Sequence, residues 1–193
     1  MCDFVCFELP EGFLVFISLQ ELESKPVRFS VDVPPGEISY DEKVTQSSPL
    51  HAEGRAELLS ASLGEIRIHG KLSVKMEAAC DRCLEPASVD VVKDFDLVYV
   101  PADETATGGE KEVDEAGVEV GYYEGSGLQL NDVLREVVLL ALPMQLVCQE
   151  ACKGICPACG GNRNQRSCDC QAKTVDDRWS KLKSFRAEFS PSN

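Results

Sequence analysis

Eight of the ten cysteines in this chain stand in four close pairs, and that spacing constrains the fold more than any other feature. Cys80 and Cys83 form a C-x-x-C pair, Cys148 and Cys152 are separated by three residues, Cys156 and Cys159 form a second C-x-x-C, and Cys168 and Cys170 form C-x-C. Two thiolates on one tight turn can take two corners of a tetrahedron, so two such pairs close a site around a soft divalent ion, with Zn–S distances of about 2.3 Å. The run Cys156-Pro157-Ala158-Cys159-Gly160 is the most specific, because Gly160 and Gly161 let backbone N–H groups point at the sulfurs. With Cys168 and Cys170 close behind, a tetrathiolate Zn2+ site at Cys156, Cys159, Cys168 and Cys170 is expected. Cys80, Cys83, Cys148 and Cys152 can complete a second site, giving one or two zinc ions per chain. Two other readings stay open for Cys80 and Cys83: packing at a strand end beyond Val74, Met76 and Ala78, or a redox-responsive dithiol. Tetrathiolate sites do not name their metal, so an iron–sulfur cluster stands as the second choice. Cys2 and Cys6 are read as packing residues.

The same cysteines in an exported chain would suggest disulfides, but the N-terminus argues otherwise. Asp3, Glu8 and Glu11 precede the short apolar run from Phe13 to Leu19, and no Lys or Arg occurs before Lys25. No run approaches the roughly 20 apolar residues a membrane span needs. A cytoplasmic protein in a reducing compartment is expected, with no membrane partner. The net charge is −14, which excludes coating nucleic acid through the overall field. That charge is uneven: residues 148–193 carry +3 and residues 1–147 carry −17. Chemistry-bearing constellations are missing from the sequence. His51 and His69 are the only histidines, and there is no phosphate loop, HExxH or nucleophile elbow. The chain is expected not to be an enzyme, and no small-molecule substrate is indicated.

Hydrophobic periodicity predicts an α+β fold: an antiparallel sheet or open β-barrel-like domain packed with one or two helices, plus a small ribbon- or knuckle-like zinc element at the C-terminal end. Residues 66–76 alternate strictly, with Ile66, Ile68, Leu72, Val74 and Met76 against Arg67, His69, Lys71, Ser73 and Lys75. A second strand spans about 89–100, with Val91, Phe95, Leu97 and Tyr99 opposite Asp90, Asp94 and Asp96. Weaker strands are read at 27–33 and 52–60. Residues 101–127 are acidic and glycine-rich and read as a mobile loop. Asn131 is read as the N-cap of a helix over 131–142, carrying Val133, Leu134, Val137, Val138 and Ala141 inward and ended by Pro143. The body is therefore assigned to 1–147 and a cysteine-rich tail to 148–193. A short terminal helix is expected there, capped by Asp176 or Asp177 and presenting Trp179, Leu182 and Phe185.

Three segments together resemble a known family. They are Cys80-Asp81-Arg82-Cys83-Leu84-Glu85-Pro86, the run from Cys148 to Cys170, and Asp177-Arg178-Trp179 with Leu182. Their order around the 130–143 helix is similar to the YceD family, the large ribosomal RNA subunit accumulation proteins, also catalogued as domain of unknown function 177. The resemblance runs from Phe13 to about Phe185; one departure is Arg163, where the family pattern usually places Leu before the asparagine. It implies a bacterial or plastid-type ribosome-biogenesis factor supporting accumulation or processing of 23S-type ribosomal RNA. Its expected partners are a pre-ribosomal particle, the large-subunit RNA or a basic assembly protein. Positive charge for such contact is found at Lys153, Arg163 and Arg166 in the tail. A second place is the strand face of Arg67, Lys71 and Lys75, where Asp90, Asp94 and Asp96 stand ready to neutralise it. The alternative function is a redox-responsive protein using Cys80 and Cys83.

Overall fold

Period-two alternation from Ile66 onward produces the longest hairpin of the molecule. The structure is a computed structural model and describes residues 15–59, 64–102 and 119–170. Strands β5 (Ile66–Ala79) and β6 (Pro86–Pro101) pair antiparallel from Ile66↔Tyr99 to Ala79↔Pro86. On the other side of β5 lies β4 (Leu50–Leu58), and β2 (Val27–Val33) follows it. The short β3 (Val44–Gln46) pairs with β5 near the cysteine end, and β7 (Glu119–Tyr123) pairs with β6. The sheet order is β2-β4-β5-β6-β7, open at both edges among the described residues.

The buried side of this sheet is the one the alternation chose. Ile66, Ile68, Leu72 and Met76 are fully buried and Val74 nearly so, with Val91, Phe95, Leu97 and Tyr99 continuing the surface on β6. Helix α2 (Leu130–Ala141) covers it with Leu130, Val133, Leu134, Val137 and Val138, a stripe spaced by three and four residues. The Tyr99 hydroxyl donates to Glu136 Oε2 at 2.7 Å, tying β6 to the helix. A two-stranded ribbon joins β1 (Phe16–Ser18) to β8 (Gly127–Gln129), and α1 (Leu19–Ser24) follows β1, capped by Ser18 Oγ on the Glu21 N–H.

At the centre, Gly54 and Gly70 pair across β4 and β5. A Cβ on Gly54 would strike the His69 carbonyl and the Phe29 ring; one on Gly70 would strike the Glu53 carbonyl and press on the Phe95 ring. Two rings from the flanking strands therefore fill the space that the glycines leave open.

Several expectations need correction. The mobile acidic loop read over 101–127 is too long: Glu119–Tyr123 form β7 and Gly127 begins β8. Residues 103–118 lie outside the described residues. The sheet is not wholly antiparallel, because β7 runs parallel to β6. Asn131 is not the N-cap; the chain passes from β8 directly into α2, Gln129 occupies the cap without a side-chain bond, and the Leu130 N–H donates to the Val15 carbonyl. The basic strand face, by contrast, meets acids on β6 as expected at two of its three positions, while Lys75 lies opposite Asp90 in the register without an ion pair among the described residues. Arg67 grips Asp96 with two bonds at 2.8 and 2.6 Å and holds its carboxyl below the usual range, while Lys71 stands 3.6 Å from Asp94. The expected terminal helix, and Cys2 and Cys6, lie outside the described residues.

Candidate metal centre

The β5–β6 hairpin ends in a turn that the cysteine spacing dictates. After Ala79↔Pro86, the Cys80 N–H donates to the Glu85 carbonyl at 2.8 Å and the Leu84 N–H returns to the Cys80 carbonyl at 2.9 Å. Closing the turn requires a left-handed residue after the second cysteine, and Leu84 takes it at φ 64°. For a non-glycine residue that conformation costs about 1–2 kcal/mol. Cys80 and Cys83 consequently point the same way and are buried at 0% and 4% exposure.

The second C-x-x-C repeats this turn bond for bond, 76 residues later. Ile155 bridges Asn162 as Ala79 bridges Pro86, the Cys156 N–H donates to the Gly161 carbonyl at 2.8 Å, and the Gly160 N–H returns to Cys156 at 2.8 Å. Here the left-handed place belongs to a glycine, Gly160 at φ 70°. The two knuckles differ in what carries them. The first is the tip of a long hairpin; the second rests on one bridge and the groups around it.

Each knuckle faces a further pair of cysteines. Cys80, Cys83, Cys148 and Cys152 form one cluster and Cys156, Cys159, Cys168 and Cys170 the other, with all sulfurs of a cluster within 4.8 Å of one another. Cys80 Sγ lies 3.9 Å from Cys152 Sγ, and Cys83 Sγ 3.6 Å from Cys148 Sγ. Tetrahedral thiolates at the zinc distance stand about 3.8 Å apart. Both clusters could hold a metal ion. The first is the more enclosed: of its members only Cys148 is exposed, whereas in the second only Cys156 is buried.

Backbone donors prepare the sulfurs for such an ion. Burial pushes the Cys80 thiol up, but backbone N–H groups including those of Arg82 and Cys83 outweigh it and bring it to about 6. The N–H groups of Cys159 and Ala158 bring Cys156 to about 6 in the same way. The last thiols to ionise are pushed the other way by sulfurs already facing them: Cys148 to about 12, chiefly by Cys83, and Cys170 to about 12, chiefly by Cys159. Four thiols with one or two held ionised suit a divalent cation, which would compensate the rest.

Polar side chains that spacing alone did not flag bind the clusters into one unit. Asp81 accepts the Leu146 N–H at 2.6 Å, and Arg82 reaches the carbonyls of Glu150 and Cys152 at 3.3 and 3.4 Å. Glu85 Oε1 accepts from Asn162 at 3.2 Å and Gln165 at 2.9 Å. Asn164 Nδ2 donates to Cys152 Sγ at 3.3 Å while its Oδ1 takes the Lys153 N–H at 2.8 Å. Gly154, at φ 69°, lies so close to Arg82 that a Cβ would sit 2.9 Å from its carbonyl oxygen; that same oxygen accepts the Ile155 N–H. Lys153, Arg163 and Arg166 are all exposed on these loops, and no ion pair engages them among the described residues. The Arg166 guanidinium covers Gly161, 2.8 Å from where a Cβ would stand.

A small α+β protein with two four-cysteine clusters, interlocked at one end of its sheet, is what the fold and site define. The chain belongs to the YceD family, described as "Large ribosomal RNA subunit accumulation protein YceD", which matches residues 68–186 and so takes in both clusters. It is 25% identical over 149 residues to the chloroplastic YCED homolog 1 of Arabidopsis thaliana, covering 65% of this chain and 46% of that one. The Zea mays counterpart is 24% identical over 135 residues, 58% of this chain and 46% of its own. An uncharacterized protein of Mycobacterium tuberculosis, Rv2926c, is 27% identical over 146 residues, covering 72% and 63%. The chain thus spans about half the length of its plant relatives. No solved structure matches at a significant level.

Proposed function

We propose that this protein is a non-catalytic cytoplasmic factor supporting accumulation of large-subunit ribosomal RNA, and that its cysteine loops form a zinc-stapled adaptor touching pre-ribosomal RNA. The observation that carries this reading is the interlocked pair of clusters with three exposed cations, Lys153, Arg163 and Arg166, on the loops they hold, none in an ion pair among the described residues. Cys80, Cys83, Cys148 and Cys152 would hold one ion and Cys156, Cys159, Cys168 and Cys170 the other. A tetrathiolate ion supplies rigidity there, in loops with too few apolar residues to fix their own shape. Arginines on a rigid loop can clamp phosphates or stack on unpaired bases even where the overall charge is negative.

The test is Arg163→Glu combined with Arg166→Glu. Association with ribosomal precursor particles in gradient sedimentation should be lost while metal content by elemental analysis stays at two per chain. Full association of the double variant would move the reading to recognition through a protein partner. The redox alternative asks for an accessible dithiol, whereas Cys80 and Cys83 are buried among two further sulfurs. Reactive thiols at Cys80 and Cys83, with only one metal per chain, would restore it.

A further inference from the structure

Beside the first cluster lies a cleft of about 670 Å³ whose walls come from β3, the end of β5, the first knuckle and the segment after α2. Met76, buried, lies at its base, Leu142 and Val89 line it, and Leu84 and Met144 stand at the opening. Leu84 is 67% exposed and Met144 is fully exposed. The opening is also acidic: Asp41, Glu42 and Glu77 line it against the single cation Lys43, and no ion pair engages these acids among the described residues.

Leu84 is the residue that a purely structural account of the knuckle does not explain. Its neighbours all have internal tasks: Cys80 and Cys83 face the cluster, Asp81 and Arg82 hold the 145–152 loop, and Glu85 holds Asn162 and Gln165. Leu84 spends a left-handed backbone conformation to hold an apolar side chain in water, where the equivalent turn uses Gly160. A strained, exposed leucine and a fully exposed methionine lining one cleft mark a contact surface.

We propose that this cleft receives a basic, apolar peptide segment of a protein partner, with leucine-like side chains entering between Leu84 and Met144 and Lys or Arg side chains meeting Asp41, Glu42 and Glu77. Charge complementarity selects this occupant, because an acidic opening on a chain of −14 repels both nucleic acid and acidic peptides. The inference goes beyond the RNA reading and does not depend on the tail arginines.

The experiment measures fluorescence anisotropy of three labelled synthetic peptides of equal length with the metal-loaded full chain at physiological salt: one of leucine and lysine, one of serine and lysine, one of leucine and glutamate. The leucine–lysine peptide should bind about tenfold or more tightly than either control. Leu84→Gly and Met144→Ser should each weaken it by about fivefold or more. Leu84→Gly keeps the turn intact, since glycine is at ease at φ 64°, so its effect cannot come from misfolding. Equal binding of the serine–lysine peptide, or unchanged binding by both variants, would overturn the proposal. So would a large-subunit RNA fragment that displaces the peptide and loses affinity in the same variants. Absence of measurable binding of the leucine–lysine peptide to the full chain would overturn it too.

Discussion

The side-chain amide of Asn164 donates to Cys152 Sγ and accepts from Lys153, so one residue of the second knuckle's loop finishes the first cluster. Cysteine spacing does not mark it; in the sequence only the resemblance to the family, whose pattern holds an asparagine after position 163, points to it. Second partners of ligating sulfurs typically matter by about 10–100-fold in metal affinity. Asn164→Ala should therefore weaken uptake at Cys80, Cys83, Cys148 and Cys152 by about that factor while the other cluster is unaffected, as read by chelator competition. The cysteines themselves set a pH dependence. At pH 7 Cys80 and Cys156, at about 6, are already ionised, whereas Cys148 and Cys170, at about 12, keep their protons until a metal displaces them. Protons bind only the metal-free thiols, so lower pH favours the metal-free form. Affinity at each cluster should fall by about tenfold or more per pH unit near neutrality, and more steeply below pH 6. A flat profile between pH 6 and 8 would contradict this assignment of thiols.

Strands with a clean period of two were legible: β2, β4, β5 and β6 lie within a few residues of the expected spans. The elements that escaped are short or lack a one-sided pattern. β7 hides at the end of an acidic stretch, and its middle residue is a glycine because Tyr99 lies where a Cβ would go. α1 has only six residues, with Leu22 its one buried side chain. α2 was legible as an apolar stripe but misplaced at its start, since a strand running straight into a helix leaves no room for the usual cap. Gly54 and Gly70 carry no signal in the sequence pattern, yet they fix how β4 and β5 approach. Gly70→Ala drives a methyl group into the Glu53 carbonyl and toward Phe95, and should destabilise the chain by about 1–3 kcal/mol, read as a lower urea midpoint. A midpoint equal to that of the natural chain would mean that the sheet opens there at no cost.

Across the whole molecule, a boundary drawn at residue 148 from charge and cysteine content runs through the first cluster. Cys148 and Cys152 lie with Cys80 and Cys83, and Leu146 is hydrogen-bonded to Asp81 in both directions. That pairing was legible as one option among several because C-x-x-C and C-x3-C spacings permit it; the loops that enforce it, through Arg82, Glu85 and Asn162, were not. Losing each cluster should therefore have a different reach. Cys156→Ser should raise hydrogen exchange in residues 156–170 and leave 145–152 protected. Cys83→Ser should expose 145–152 as well, while β4 and the lower half of β5 stay protected in both. Equal exchange patterns in the two variants would show that the clusters fold as one inseparable unit.

The near-identity of the two knuckles has a consequence in time as well as space. The second cluster closes within the span from Cys156 to Cys170, whereas the first joins residues 72 apart in sequence, Cys80 and Cys152. The loop-closure penalty differs by only about 1.5 kcal/mol, but the waiting differs far more. During synthesis the first knuckle leaves the ribosome with two thiols and no partners until roughly 70 further residues have been added, at about 5–20 residues per second. The second knuckle completes its set almost at once. For those seconds Cys80 and Cys83 form a half-built site on a nascent hairpin, open to any stray soft metal or oxidant, and the arrival of Cys148 and Cys152 ends that exposure.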